Sequence, residues 1–123
     1  MSDAPYALDA IDRVFHERGR LGICSALVAN PEGLSFTQLQ EACSLTDGNL
    51  NRHLHALAEL GIVETKRITG KGRPQTIVRI TREGRDRFLD YIDALEAVVR
   101  DVQRSRKRKG SPARTVPASS TSQ

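Results

Sequence analysis

The chain has 123 residues, a formal charge of +4, two cysteines, three histidines and no tryptophan, a size that supports one domain with a single core rather than a core plus a separate sensor domain. No apolar run approaches the roughly 20 residues of a membrane span, and Met1-Ser2-Asp3-Ala4-Pro5 lacks the charged start and greasy stretch of a leader, so a soluble, cytoplasmic protein is expected. Residues 105–123 hold Arg106, Lys107, Arg108, Lys109 and Arg114 and no acid, so the 14 cations and 15 acids of the first 104 residues leave that body at −1.

Residues 1–8 read as a loose lead. From 9 to 30, Ile11, Val14, Phe15, Leu21, Ile23, Leu27 and Val28 recur near helical spacing, which predicts a first helix that ends at Asn30-Pro31 and bends at Gly19. Leu34 suits a very short strand. Ser35-Phe36-Thr37-Gln38 forms a capping box, so a helix starts there, turns Phe36, Leu39, Ala42 and Cys43 inward and stops near Ser44. Leu45 plugs the turn, and Thr46 or Asp47 caps the next helix, residues 47–60, with Gly61 as its stop. Its core face is Leu50, Leu54, Leu57 and Ala58. Gly48, Asn51, Arg52, His55, Ala56 and Glu59 fall on the outer half, with Asn49 at its border.

Residues 62–68 and 75–80 are rich in β-branched side chains and flank the turn Thr69-Gly70-Lys71-Gly72-Arg73-Pro74, the pattern of an antiparallel hairpin. Thr81 caps a last helix over 82–104. Phe88, Ile92, Leu95, Val99 and Val102 follow one another at steps of 4, 3, 4 and 3, the seam of a coiled coil, with Tyr91 and Val98 beside it. So long a helix exceeds what one small core can cover, which favours self-association. The basic tail, 105–123, ends in Ser, Thr, Pro and Ala and reads as disordered.

The order of elements gives an α+β, mainly α fold: a winged helix-turn-helix, with a three-helix core, a β-hairpin wing and a long C-terminal helix. A helix whose first turns show Asn49, Asn51, Arg52 and His55 can read base edges, because asparagine pairs with adenine and arginine with guanine. Gly48 permits close approach of the backbone, and Thr46 and Ser44 can donate to phosphates beside the positive end of the helix dipole. The wing tip carries Lys71 and Arg73, with Lys66, Arg67 and Arg79 at its base. From Lys66 to Arg82 there are six cations and no carboxylate, as a polyanion on one face requires.

The set Arg20-Leu21-Gly22-Ile23, Leu34-Ser35-Phe36 with Leu39, Leu45-Thr46-Asp47-Gly48-Asn49-Leu50, His53-Leu54 with Leu57, Leu60-Gly61-Ile62-Val63, Gly72-Arg73-Pro74 and Ile80-Thr81 with Gly84 resembles the winged-helix DNA-binding domains of the MarR and ArsR superfamily of transcriptional regulators. The resemblance implies a homodimer with two recognition helices on half-sites about 34 Å apart. It places base reading on Asp47, Gly48, Asn51 and Arg52 and a wing contact on Arg73. Self-association would engage Ile11, Phe15, Phe88, Tyr91, Ile92, Leu95, Val99 and Val102. The thiolate pair that binds metal in some ArsR proteins is missing.

Other chemistry finds little support. His53 and His55 lie about 200° apart around one helix and cannot clasp one metal, and Cys24 and Cys43 lack a CxxC spacing, so no metal or cofactor is expected and both thiols read as core residues. No P-loop, GxSxG, HExxH or GxGxxG occurs, which argues against an enzyme. Two rivals to a double-stranded DNA-binding repressor remain open: a winged-helix module that docks a protein instead of DNA, and a sensor holding an unknown small-molecule effector between the first and last helices. The basic tail is either a solvated end or an arm on phosphates.

Overall fold

The computed structural model describes residues 8–70 and 72–108. Four helices and three strands follow in the order α1 (Arg18–Ala29), β1 (Leu34–Ser35), α2 (Phe36–Cys43), α3 (Asp47–Glu59), β2 (Val63–Ile68), β3 (Gln75–Ile80) and α4 (Arg82–Arg108). The fold is the expected winged helix, with a mainly helical body, a small antiparallel sheet ordered β1-β3-β2 and a long last helix.

The first helix departs from expectation. Helix begins only at Arg18, and the stretch before it runs through turns in which Ile11 N donates to Leu8 O at 3.1 Å and Phe15 N donates to Asp12 O at 3.2 Å. The cause is local competition for amides. The Asp12 carboxylate accepts from Val14 N at 3.1 Å and that of Glu17 accepts from Arg20 N at 2.8 Å, so Glu17 becomes the N-cap and Gly19 sits in the first turn instead of bending a longer helix.

Local signals elsewhere act as their chemistry dictates. Ser35 accepts from Gln38 N at 3.1 Å while Gln38 accepts from Ser35 N at 2.9 Å, so both halves of the capping box form. Helix α2 stops at Ser44, the one non-glycine with positive φ among the described residues. Gly61, at φ +76°, turns the chain out of α3 in a conformation that a side chain would resist. Thr81 Oγ1 accepts from Gly84 N at 2.9 Å and donates to Gly61 O at 2.6 Å, capping α4 and tying it to the chain that leaves α3.

The core gathers Phe15, Ile23, Cys24, Leu27, Leu39, Leu50, Leu57 and Val78, all fully buried. Gly84 seats α4 against the start of β2, because a Cβ there would run into the Ile62 carbonyl. Phe15, Phe88 and Tyr91 form one aromatic cluster, with Phe15 and Phe88 edge to face at 5.1 Å. Arg87 reinforces it by pairing with Asp12 at 2.7 Å and lying over the Phe15 ring.

That cluster redraws the surface assigned to self-association. Ile11, Phe15, Phe88 and Tyr91 are buried inside the protomer, because the turns before α1 fold them or their partners onto α4, so these side chains are already covered within one chain. Ile92 and Leu95 are half-buried, whereas Val99 and Val102 are 46% and 52% exposed. Helix α4 also runs four residues beyond the expected 104, into the segment assigned to the tail. Ala42 and Ala58, expected to face the core, are exposed.

Candidate nucleic-acid interface

Helix α3 enters from Thr46, whose hydroxyl accepts from Asn49 N at 3.2 Å and so settles the cap on Thr46, with Asp47 as the first helical residue. Asp47 then lies at the positive end of the dipole, where a carboxylate is favourable, and its Oδ1 also accepts from the Gln40 side chain of α2. Thr46, Asp47, Gly48, Asn49, Asn51, Arg52 and His55 are all exposed. Arg52 Nη2 donates to Asn49 Oδ1 at 2.8 Å, and His55 Nε2 lies 3.3 Å from Glu59 Oε2.

Behind this face the helix is anchored by a buried polar group. His53 is 4% exposed and packs where α1 begins, with Nδ1 3.4 Å from Arg20 Nη1 and Nε2 3.7 Å from Glu17 Oε1. Burial pushes its pKa down from the usual 6.5, with Glu17 opposing and Arg52 and Arg20 assisting. A neutral ring fits the geometry: Nδ1 accepts from the guanidinium while Nε2–H points towards the carboxylate, a tautomer inferred from these partners. Arg20 Nε in turn donates to Val14 O at 2.6 Å, so α3 is held on the turns and first residues of α1.

The hairpin register decides which wing cations belong with α3. Thr65 pairs with Val78 and Arg67 with Thr76, so these side chains share one face with buried Val63. Lys66 pairs with Ile77 and Glu64 with Arg79, so Lys66 and Arg79 lie on the reverse face, separated from Arg67 by the period of two. Arg79 Nε donates to Glu32 O at 3.3 Å. Arg73 is exposed at the tip; Lys71, the other expected tip cation, lies outside the described residues.

The α3 face and this hairpin face meet across one open cleft lined by Phe36, Asn51, Arg52, Leu54, His55, Ala58, Thr65, Thr76 and Val78. No acid lines it. None of the ion pairs among the described residues engages Arg52, Lys66, Arg67 or Arg73, so their charges stay available to an anion. Sequence reasoning named Asn51, Arg52 and His55 of this lining but missed Thr65 and Thr76, Gln40, whose link to Asp47 bridges two helices, and the apolar floor of Phe36, Leu54 and Val78, which only the packing of sheet on helix creates.

Both thiols lie away from this face. Burial pushes the Cys24 thiol up to about 12 and raises that of Cys43, which keeps both protonated and poorly nucleophilic near neutrality. Among the described residues no group of three His, Cys, Asp or Glu side chains is arranged to hold a metal ion, and no helix is long and apolar enough to cross a membrane.

A helix-turn-helix followed by a wing, with an exposed polar helix face and basic hairpin on a common side, defines a DNA-binding regulator of the winged-helix class. The comparisons agree: residues 20–99 match the winged helix DNA-binding domain family, and the chain belongs to that family. An uncharacterized protein of Methanocaldococcus jannaschii is 40% identical over 91 residues, covering 74% of this chain and 98% of its own. The structure of a transcriptional regulator homologue from Pyrococcus horikoshii is similar at a TM-score of 0.69 and 31% identity, covering 74% of this chain and 89% of that one. A MarR-family regulator from Silicibacter pomeroyi, at 20% identity, a TM-score of 0.53 and coverage of 76% and 60%, shares the fold.

Proposed function

We propose that the chain is a sequence-specific, double-stranded DNA-binding transcriptional repressor that acts in the cytoplasm as a homodimer and blocks promoter access. Asp47, Gly48, Asn51 and Arg52, with Asn49 and His55 beside them, enter the major groove. Thr46 meets a phosphate at the helix start, and Arg73 and Lys71 at the wing tip, with Arg67 at its base, follow the neighbouring backbone or minor groove. Lys66, on the reverse hairpin face, serves only as a long-range attraction. The reading needs no cofactor.

The observation that carries it is the shared cleft: Asn51, Arg52 and His55 from α3 border it together with the Arg67-bearing face of the hairpin, without an acidic residue between. Dimerisation is supported by the strip of Ile92, Leu95, Val99 and Val102 on α4, half-buried to exposed and set at coiled-coil spacing. Selection of bound duplexes from a random pool at stated salt tests the proposal. The expected product is a two-fold symmetric sequence whose half-sites are one helical turn apart; recovery of no preferred sequence contradicts specific recognition.

A further inference from the structure

Helix α4 runs about 40 Å at 1.5 Å per residue, and Val98 is the last of its hydrophobic side chains to pack on the core. Beyond it Arg100, Gln103, Arg104, Arg106 and Lys107 are all exposed. Arg100, Gln103, Arg104 and Lys107 follow at helical spacing, so they share one face, and with Arg106 they line one open groove. At 100° per residue this row lies roughly 120° around the helix from Ile92, Leu95, Val99 and Val102, the strip assigned to a second copy, and so stays open when two chains pair. Asp101 is the one acid from 97 to 107, and it accepts from Arg104 Nη2 at 2.7 Å. Among the described residues no ion pair engages Arg100, Arg106 or Lys107. The helix dipole accounts for cations in the last turn, Arg106 and Lys107. Arg100 and Arg104 stand before that turn, and as like charges at i, i+4 they repel each other unless an anion neutralises them.

We propose that the row of Arg100, Arg104 and Lys107 is a second DNA site, which holds the phosphates of a duplex stretch outside the one read by α3, without regard to sequence. What surrounds the row favours a duplex over other polyanions. No aromatic residue follows Tyr91, so the bases of a single strand find no platform to stack on. From 96 to 107 the only apolar side chains larger than alanine are Val98, Val99 and Val102, too little for a helix to bury in a bilayer surface beside its cations. Two arginine forks and a lysine point charge on an exposed helix suit phosphate oxygens. The site adds to the DNA-binding reading given above but does not need it, since the row and the α3 face share no residue. Its consequence is avidity, because a protein held at one stretch meets the other at raised effective concentration.

The test uses the full chain carrying Arg52→Ala and Arg73→Ala, which weakens the α3 and wing face, and a labelled duplex of random sequence titrated at several salt concentrations. Arg100→Gln, Arg104→Gln and Lys107→Gln are then added together; glutamine keeps helix propensity, and all three positions are exposed, so the melting midpoint should not move. Affinity at low salt is expected to fall roughly tenfold or more, and the slope of log affinity against log salt to flatten by about 2–3. Equal affinity and equal slope with and without the three changes overturn the proposal. Loss of binding to phosphatidylserine vesicles with DNA binding unchanged also overturns it and assigns the row to a membrane. Where Arg52→Ala and Arg73→Ala leave binding to a selected duplex at the parent level but the three glutamines weaken binding to the random one, the α3 reading fails and the α4 site stands. On parent protein saturated with a selected duplex, capture of the labelled random duplex that the three changes abolish supports the site and assigns it to a separate segment.

Discussion

Arg52 donates to the Asn49 side-chain oxygen at 2.8 Å, one turn earlier on the exposed face of α3. The bond holds a long, rotamer-rich guanidinium on the exposed face of α3 in advance of any partner, which would lower the entropy lost if this face engages a duplex as proposed. Arg52→Ala is expected to weaken binding to a selected duplex by about 1–3 kcal/mol and to relax preference at one base position. Asn49→Ala should cost less, and the double variant should be no worse than Arg52→Ala alone. Anisotropy titrations of all four proteins check this; strict additivity would show that the two residues act independently.

The wing cations are expected to differ by hairpin face. Arg67→Ala and Arg73→Ala should each weaken binding similarly on every sequence and flatten the slope of log affinity against log salt by about 0.9. Lys66→Ala, on the reverse face, should change that slope by much less. Equal effects of Lys66 and Arg67 would contradict the register argument.

Self-association is assigned to the exposed end of α4. Val99→Asp with Val102→Asp should shift sedimentation from dimer to monomer while leaving the melting midpoint of the monomer nearly unchanged, because both side chains are about half exposed in the protomer. Phe88→Ala should instead unfold the domain, at about 3–5 kcal/mol, since its ring is buried in the aromatic cluster.

His53 gives the fold a pH dependence with a defined sign. Its pKa is lowered in the folded protein, so between the folded value and the usual 6.5 the unfolded chain binds the extra proton. The stability from burying the neutral ring is fully present above 6.5 and is lost as pH falls through the folded value. Thermal melts across that range should show a falling midpoint that His53→Gln lacks. Asp12, held below its usual 3.8 chiefly by the hydrogen bond from Arg87, adds a second loss at more acid pH, as its stability is present above 3.8 and disappears below its folded value.

Much of this architecture was legible in the sequence because it is written in short-range chemistry. The Ser35–Gln38 box, the Gly61 stop and the Thr81 cap each depend on residues within four positions, and each appears as read. The error at the first helix arose because Ile11 and Phe15 point into the core from turns at nearly helical spacing, so periodicity could not separate the two conformations. Burial of Phe88 and Tyr91 depends on contacts with residues more than 70 positions earlier, Phe15 and His16 among them, which no local pattern encodes. The division of Lys66 from Arg67 depends on register, and the cleft depends on how the sheet packs on α3. The exposed polar face of α3 was legible because it follows from 100° per residue alone.

If the proposed function holds, the start of α3 and the Arg67 face of the hairpin contact one duplex together. The most direct measurement is affinity for a selected duplex as a function of salt, comparing the parent with the Arg52→Ala, Arg73→Ala double variant. A steep salt dependence is expected in the parent, and in the double variant a large loss of affinity, a shallower slope and an unchanged melting midpoint. Equal affinity and equal slope in the two proteins would contradict it and would assign this surface to another partner.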